Sequence, residues 1–220
     1  KKRYIHQYLN QKLFEVNFIN DQFVESALER EIIDYLDGVL TNYDLVLVSD
    51  FGHGFISPAI YRRLRKNSKV LAINTQTNGA NSGYNLITKY SNPDYVCLDE
   101  TEIRLAAQSK FKKIDEVVRE IHKQVNARFL ITTLGKLGSI GIDDKGRVNQ
   151  TPIFSKKVID TIGAGDAYFS FTAPCVALGV PLDLISFIGN VVGCMAVQIV
   201  GNKKPVEKKE FLDFTKTLLA

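Results

Sequence analysis

A chain of 220 residues that is 45% hydrophobic and 24% charged has the length and balance of an ordinary folded domain, which excludes the disordered, collagen-like and disulfide-scaffold classes. The formal charge of +4 is mild, and the basic residues are scattered or in short pairs such as Lys112-Lys113 and Lys156-Lys157, so no nucleic-acid-binding face is expected. Cys97, Cys175 and Cys194 form no Cys-x-x-Cys pair, and His6, His53 and His122 lack metal-ligand spacing, which fits reduced thiols in a cytoplasmic protein.

In chain order, residues Lys2 to Val16 mix aromatic, β-branched and polar positions and suit one or two short strands. Between Asp21 and Leu40, Phe23, Ala27, Ile32, Ile33, Leu36 and Val39 recur at helical spacing, which predicts an amphipathic helix. Leu45 to Val48 is a continuous apolar run of the kind that forms a strand buried on both faces of a parallel sheet. The rhythm continues with a helix near Pro58 to Lys66, strands at Val70 to Ile73 and Tyr95 to Leu98, helices over Glu100 to Ala107 and Ile114 to Val125, and a strand at Phe129 to Thr132. Strands alternating with helices imply βαβ units and a mostly parallel sheet covered by helices on both faces, with ligands beyond the carboxyl ends of the strands.

Ser139 to Ile142 and Arg147 to Gln150 read as two further strands joined by a hairpin turn at Asp143-Asp144-Lys145-Gly146, and the remainder from Gly163 onward reads as helical. Leu184 to Val200 is apolar but carries Ser186, Asn190 and Gln198, so it is expected as a helix buried in the core and no membrane span is predicted. No repeat or linker divides the chain, and one α/β unit is the simplest description.

The segment Asp160-Thr161-Ile162-Gly163-Ala164-Gly165-Asp166, just before an apolar helical stretch, carries the most chemistry. Gly163 and Gly165 let a ligand approach the backbone, and the amides of a first helical turn have no intrahelical acceptors, so they suit an anion such as phosphate. A carboxylate beside an anion hole has a natural task as the base that takes a proton from an attacking hydroxyl, which makes Asp166 the candidate; the alternative is a helix cap after a tight turn.

This Asp-Thr-x-Gly-Ala-Gly-Asp pattern resembles the signature of the PfkB/ribokinase sugar kinases and matches it at every fixed position. The resemblance implies a ribokinase-like three-layer α/β sandwich, Asp166 as catalytic base, and Gly163, Ala164 and Gly165 as the anion hole for the γ-phosphoryl of ATP. Thr133-Leu134-Gly135-Lys136-Leu137-Gly138 is similar to the Thr-x-Gly-x-x-Gly nucleotide loop of that family, so Thr133, Gly135 and Gly138 are expected at the nucleotide. Asn190 lies where relatives place a polar residue near the adenine; a buried Asn satisfied by backbone groups would look the same. Where the family has Asn-x-x-Glu serving Mg²⁺ and the phosphates, this chain has Asp99 and Glu102, and the plain alternative is an acidic first helical turn. Asp160, Ile162, Ala196 and Gly201 correspond to positions that hold a monovalent cation, K⁺ being the expected ion.

Val48-Ser49-Asp50-Phe51-Gly52-His53-Gly54 resembles the Ser-Asp-Tyr-x-Lys-Gly stretch of heptose-phosphate kinases, with His53 in place of Lys. The Asn-rich run Asn74 to Asn85 stands where those kinases have Asp-Pro-Lys-Gly, and its amides suit sugar hydroxyls or ordinary turns alike. Asp50 and Asn74 are the candidate substrate contacts, for a sugar or sugar phosphate. Family members begin with sugar-gripping strands and a Gly-Gly motif that this chain lacks, so the expectation is a kinase domain over 1–220 missing its N-terminal part, with residues 1–16 a remnant of the lid. An uncovered sheet edge would then be a surface for aggregation or for a homodimer. The competing readings are a non-catalytic nucleotide-binding regulatory module and a nucleoside kinase on the same scaffold.

Overall fold

The computed structural model describes residues 2–6, 8, 12–155, 157–200 and 203–219. Its strands are β1 (Lys2–Ile5), β2 (Lys12–Val16), β3 (Val46–Asp50), β4 (Leu71–Thr75), β5 (Tyr95–Asp99), β6 (Phe129–Thr133), β7 (Ser139–Asp143) and β8 (Val148–Thr151). The α-helices are α1 (Ser26–Val39), α2 (Pro58–Asn67), α3 (Glu100–Ala106), α4 (Ile114–Val125), α5 (Ala164–Ala177), α6 (Leu182–Ala196) and α7 (Lys208–Leu219).

Six strands form one sheet in the order β3-β4-β5-β6-β7-β8. The pairs from β3 to β6 are parallel, and β7 and β8 continue the sheet antiparallel. Sequence order and spatial order coincide because α2, and α3 with α4, return the chain to the same edge, whereas the short link from β6 to β7 forces a reversal. The expected hairpin turn is present: Asp143 Oδ1 accepts the amides of Lys145 and Arg147, and its other carboxylate oxygen pairs with Arg147.

Alternation along the strands sorts the side chains into two cores. Leu71, Ile73, Val96, Leu98 and Leu130 face a layer built from α1 to α4, with Ile60, Leu64, Ile103, Val117 and Ile121. Ala72, Tyr95, Cys97, Phe129 and Ile131 face α5 and α6, with Phe169, Ala173, Val176 and Ile185. This is the expected three-layer α/β sandwich.

Local chemistry sets the helix ends. Ser57 caps α2 by accepting the Ile60 amide, with Pro58 in the first turn, and α4 stops where Asn126 turns left-handed at φ 52°. Helix α6 begins after Pro181 and ends at Ala196, so it is shifted toward the N-terminus relative to the expected Leu184 to Val200. Pro174 sits inside α5 without ending it, because the carbonyl it leaves unpaired, that of Ser170, lies on the exposed face. Among the described residues, no helix is long and apolar enough to cross a membrane.

The N-terminal strands β1 and β2 pair antiparallel into a separate two-stranded sheet, with Tyr4 and Phe14 stacked at 4.4 Å between ring centroids and both about half exposed.

Candidate active site

The site lies at the carboxyl ends of β4, β5 and β6, on the side of the sheet that carries α5. Gly163 precedes α5 with φ 78°, a left-handed conformation that glycine adopts without strain, and it turns the chain so that Ala164, Gly165 and Asp166 form the first helical turn. A side-chain carbon built on Gly165 would meet nothing within 4 Å, so the space beside Gly165 is open, while the Ala164 amide donates to the Thr161 carbonyl at 3.3 Å. Asp166 is exposed, and its Oδ1 accepts a hydrogen bond from the side-chain amide of Gln76, just past β4.

Asp99 and Glu102 cap each other at the start of α3. Asp99 Oδ1 accepts the Glu102 amide at 2.8 Å and Glu102 Oε2 accepts the Asp99 amide at 2.8 Å, the reciprocal arrangement of a capping box. The other oxygen, Glu102 Oε1, accepts the Thr77 amide at 3.0 Å. Burial pushes the Glu102 carboxyl up to about 7, and the negative charges of Asp99 and Asp166 add to this against the two backbone hydrogen bonds. Three carboxylates thus converge on one region, which favours a cationic or metal-bearing ligand there. Among the described residues no group of three or more His, Cys, Asp or Glu side chains is arranged as a metal cage. One or two carboxylates completed by phosphates and water is the usual setting for Mg²⁺, and Asp99 and Glu102 fit that pattern.

Thr133 lies beside Asp99 in the β5–β6 register, which brings the candidate nucleotide loop to the same end of the sheet. Gly138 closes that loop with φ 95°, and any side chain there would come within 2.0 Å of the Thr151 carbonyl. Asn190 donates to the carbonyls of Thr151 at 2.8 Å and Pro152 at 2.9 Å, and is only 6% exposed. Its amide nitrogen is therefore spent on the strand end against which Gly138 rests. These contacts are the ones the scaffold reading of Asn190 expects.

Asp160 and Ile162 are brought next to the end of α6. The Ile159 and Asp160 amides donate to the carbonyl of Val197, the residue after Ala196, and Asp160 Oδ1 accepts the Ile162 amide. A cavity of about 360 Å³ opens beside them, lined by Gly163, Ala167, Ala196, Ile199 and Val206 among others. Gly201, the fourth residue of the expected cation site, lies outside the described residues.

The two candidate substrate residues part ways. Asn74 faces the α5 side; its Nδ2 donates to the Cys97 carbonyl at 2.8 Å, and its buried Oδ1 has no partner. Asp50 needs correction as a substrate contact. The β3–β4 register sets Val46 beside Leu71, so Asp50 belongs to the opposite face, where it is 4% exposed and held by Gly52 N at 2.8 Å, Tyr90 OH at 2.7 Å and Lys89 Nζ at 2.6 Å. Ser49, exposed and paired with Asn74 in that register, is the strand-end residue on the α5 side. Ser49, Gln76 and Thr77 were not singled out in the sequence. Ser49 would have required the strand register, and the other two the spatial approach of β4's end to α3 and α5.

The chain thus combines a mostly parallel α/β sandwich, a glycine turn, a carboxylate on the following helix and a loop closed by Gly138 at one end of its sheet. The pattern of the pfkB family carbohydrate kinases matches residues 29–209, and the chain belongs to that family. Similar curated proteins include the bifunctional protein HldE of Wolinella succinogenes, 25% identical over 199 residues, and that of Campylobacter fetus, 25% identical over 185 residues. These alignments take in 88% and 81% of this chain but 40% and 38% of those proteins, so the chain spans well under half the length of these relatives. The fold is that of phosphofructokinase-2 from Escherichia coli, solved in complex with potassium (TM-score 0.74, 15% identity, 90% of this chain and 64% of that one). Ribokinase of Arabidopsis thaliana, solved with ribose and ATP, superposes with a TM-score of 0.65 at 17% identity over 89% of this chain and 62% of that one.

Proposed function

We propose that the full-length protein transfers the γ-phosphoryl group of ATP to a hydroxyl of a sugar or sugar phosphate. The observation that carries this reading is the exposed Asp166 carboxylate, held by Gln76 in the first turn of α5, next to the uncrowded Gly165. In that role Asp166 takes the proton of the acceptor hydroxyl, and the amides of the first turn of α5 receive the negative charge that grows on the transferring oxygens. Thr133, Gly135 and Gly138 form the loop that cradles the nucleotide, on a floor fixed by Asn190. Asp99 and Glu102 orient water around Mg²⁺, which when bound supplies neutralisation of phosphate charge. Carbonyls near Asp160, Ile162 and Ala196 suit K⁺ beside the anion hole.

The unpartnered Oδ1 of Asn74 offers an acceptor on the α5 side, and the Ser49-Asp50 stretch that resembles the heptose-phosphate kinases makes a heptose phosphate the first acceptor to try. The separate hairpin β1–β2, with its exposed aromatic residues, suits a lid remnant and a homodimer contact.

The test is ATP consumption by the full-length protein with Mg²⁺ and K⁺ across sugars, sugar phosphates and nucleosides, comparing wild type with Asp166→Asn. Acceptor-dependent turnover that falls by about 10³-fold or more in the variant is the expected result. Nucleotide binding without turnover on any acceptor would favour a regulatory module, and equal turnover in the variant would remove Asp166 as base.

A further inference from the structure

The amide-rich run after β4 is not a set of independent turn residues. Asn81 Nδ2 donates to the carbonyls of Phe51 at 2.7 Å and Gln76 at 2.8 Å, and Asn85 Nδ2 to those of Asp50 at 2.8 Å and Gln76 at 3.1 Å. Gln76 N donates in turn to the Asp50 carbonyl at 2.9 Å. The backbone of Gln76 is therefore fixed on both sides, its N–H by the end of β3 and its carbonyl by two buried asparagines. From that fixed point its side-chain amide reaches Asp166, and the next amide, Thr77 N, reaches Glu102.

We infer that Gln76 is a positioning residue for the Asp166 carboxylate, and that Asn81 and Asn85 hold Gln76 for that task; the inference rests on Asp166 being the base. An exposed carboxylate on the first turn of a helix has rotational freedom, and a base works only when a lone pair points at the proton it takes. Engaging one oxygen with a donor held from the sheet restricts that rotation and leaves the second oxygen to take the proton. A neutral amide suits the task better than Lys or Arg, because a cation at hydrogen-bonding distance would stabilise the ionised carboxylate and weaken it as a base. The residue thus acts through Asp166 without touching the reacting atoms.

The experiment uses the full-length protein with Mg²⁺, ATP and the best acceptor from the sugar, sugar phosphate and nucleoside panel. Gln76→Leu removes the donor at similar size, and Gln76→Met serves as a second variant should the first fold poorly. The expected result is a kcat lower by about 10- to 100-fold with the KM for ATP within about twofold of wild type and the melting temperature nearly unchanged. Asn81→Ala should show the same split at smaller size, and it should add little to Gln76→Leu because both act through one contact. A kcat within about twofold of wild type in Gln76→Leu, while Asp166→Asn loses turnover, overturns the inference and leaves the base in place. A rise in the KM for ATP that accounts for the whole loss overturns it too, since Gln76 would then bind nucleotide. Full turnover in Asp166→Asn, or none in wild type on any acceptor, removes the base reading and this inference with it.

Discussion

Two glycines of α6 face the same tyrosine and should respond to alanine with opposite signs. A Cβ on Gly189 would sit 2.2 Å from Tyr168 Cζ and 2.5 Å and 2.6 Å from its Cε atoms, whereas one on Gly193 would be 3.9 Å from Tyr168 Cδ2, an ordinary contact. In a helix interior Gly→Ala alone stabilises by about 1 kcal/mol. At Gly193 that gain stands unopposed. At Gly189 the ring must retreat by more than about 1 Å to reach a normal carbon–carbon separation. Tyr168 is 2% exposed and its hydroxyl bonds Ser139 Oγ at 3.1 Å, so the ring has no empty space to enter and its hydrogen bond is lost. Overpacking costs about 1–3 kcal/mol and the hydrogen bond about 1 kcal/mol, which leaves Gly189→Ala about 1–3 kcal/mol less stable after the propensity gain. At roughly 2–4 °C per kcal/mol for a chain of this size, its melting temperature should fall by about 5 °C while that of Gly193→Ala rises slightly. Scanning calorimetry on the two variants decides the matter, and Gly189→Ala with Tyr168→Leu should recover part of the loss. Equal melting temperatures for Gly189→Ala and Gly193→Ala would refute the packing argument.

Asp50→Ala should cost about 3 kcal/mol in chemical denaturation, because Lys89, Tyr90 and the Gly52 amide lose their shared partner. Turnover per folded molecule should survive, since the carboxylate faces away from α5; a selective loss of turnover at wild-type stability would reinstate Asp50 as a substrate contact. Glu102 gives the fold a pH dependence. Its folded value of about 7 lies above the ordinary carboxylate value of 4.5, so between these limits the folded state binds the extra proton. Without metal or nucleotide, stability should therefore fall as pH rises from about 4.5 to about 7, by at most about 3 kcal/mol. Glu102→Gln should flatten that slope, and an unchanged slope would place its origin elsewhere.

What the sequence made legible follows from the range of the interactions involved. The Gly-Ala-Gly-Asp turn is local, so its glycine conformation and the helix behind it could be read from adjacent residues. Helix α4 fell on its predicted bounds because Val117, Val118, Ile121 and Val125 mark a single buried face. The orientation of β3 was not readable, since Leu45 to Val48 is apolar throughout and carries no alternation; only the pairing of Val46 with Leu71 turns Asp50 away from the site. Gln76 and Asp166 lie 90 positions apart, beyond any spacing rule. Asn190 satisfied both of its readings equally until the Thr151 and Pro152 carbonyls appeared beside it.

The antiparallel turn-back of β7 and β8 has a further effect. It anchors the loop of Gly135 and Gly138 at both ends to one sheet, while Asn190 pins the far strand from α6. The β3 strand is less covered on the α5 side, where Ser49 and Leu47 are exposed. Under the proposed function, selection can thus rewrite the exposed β3 edge while the anchored loop stays constant, so that acceptors diversify without relearning how to hold a nucleotide.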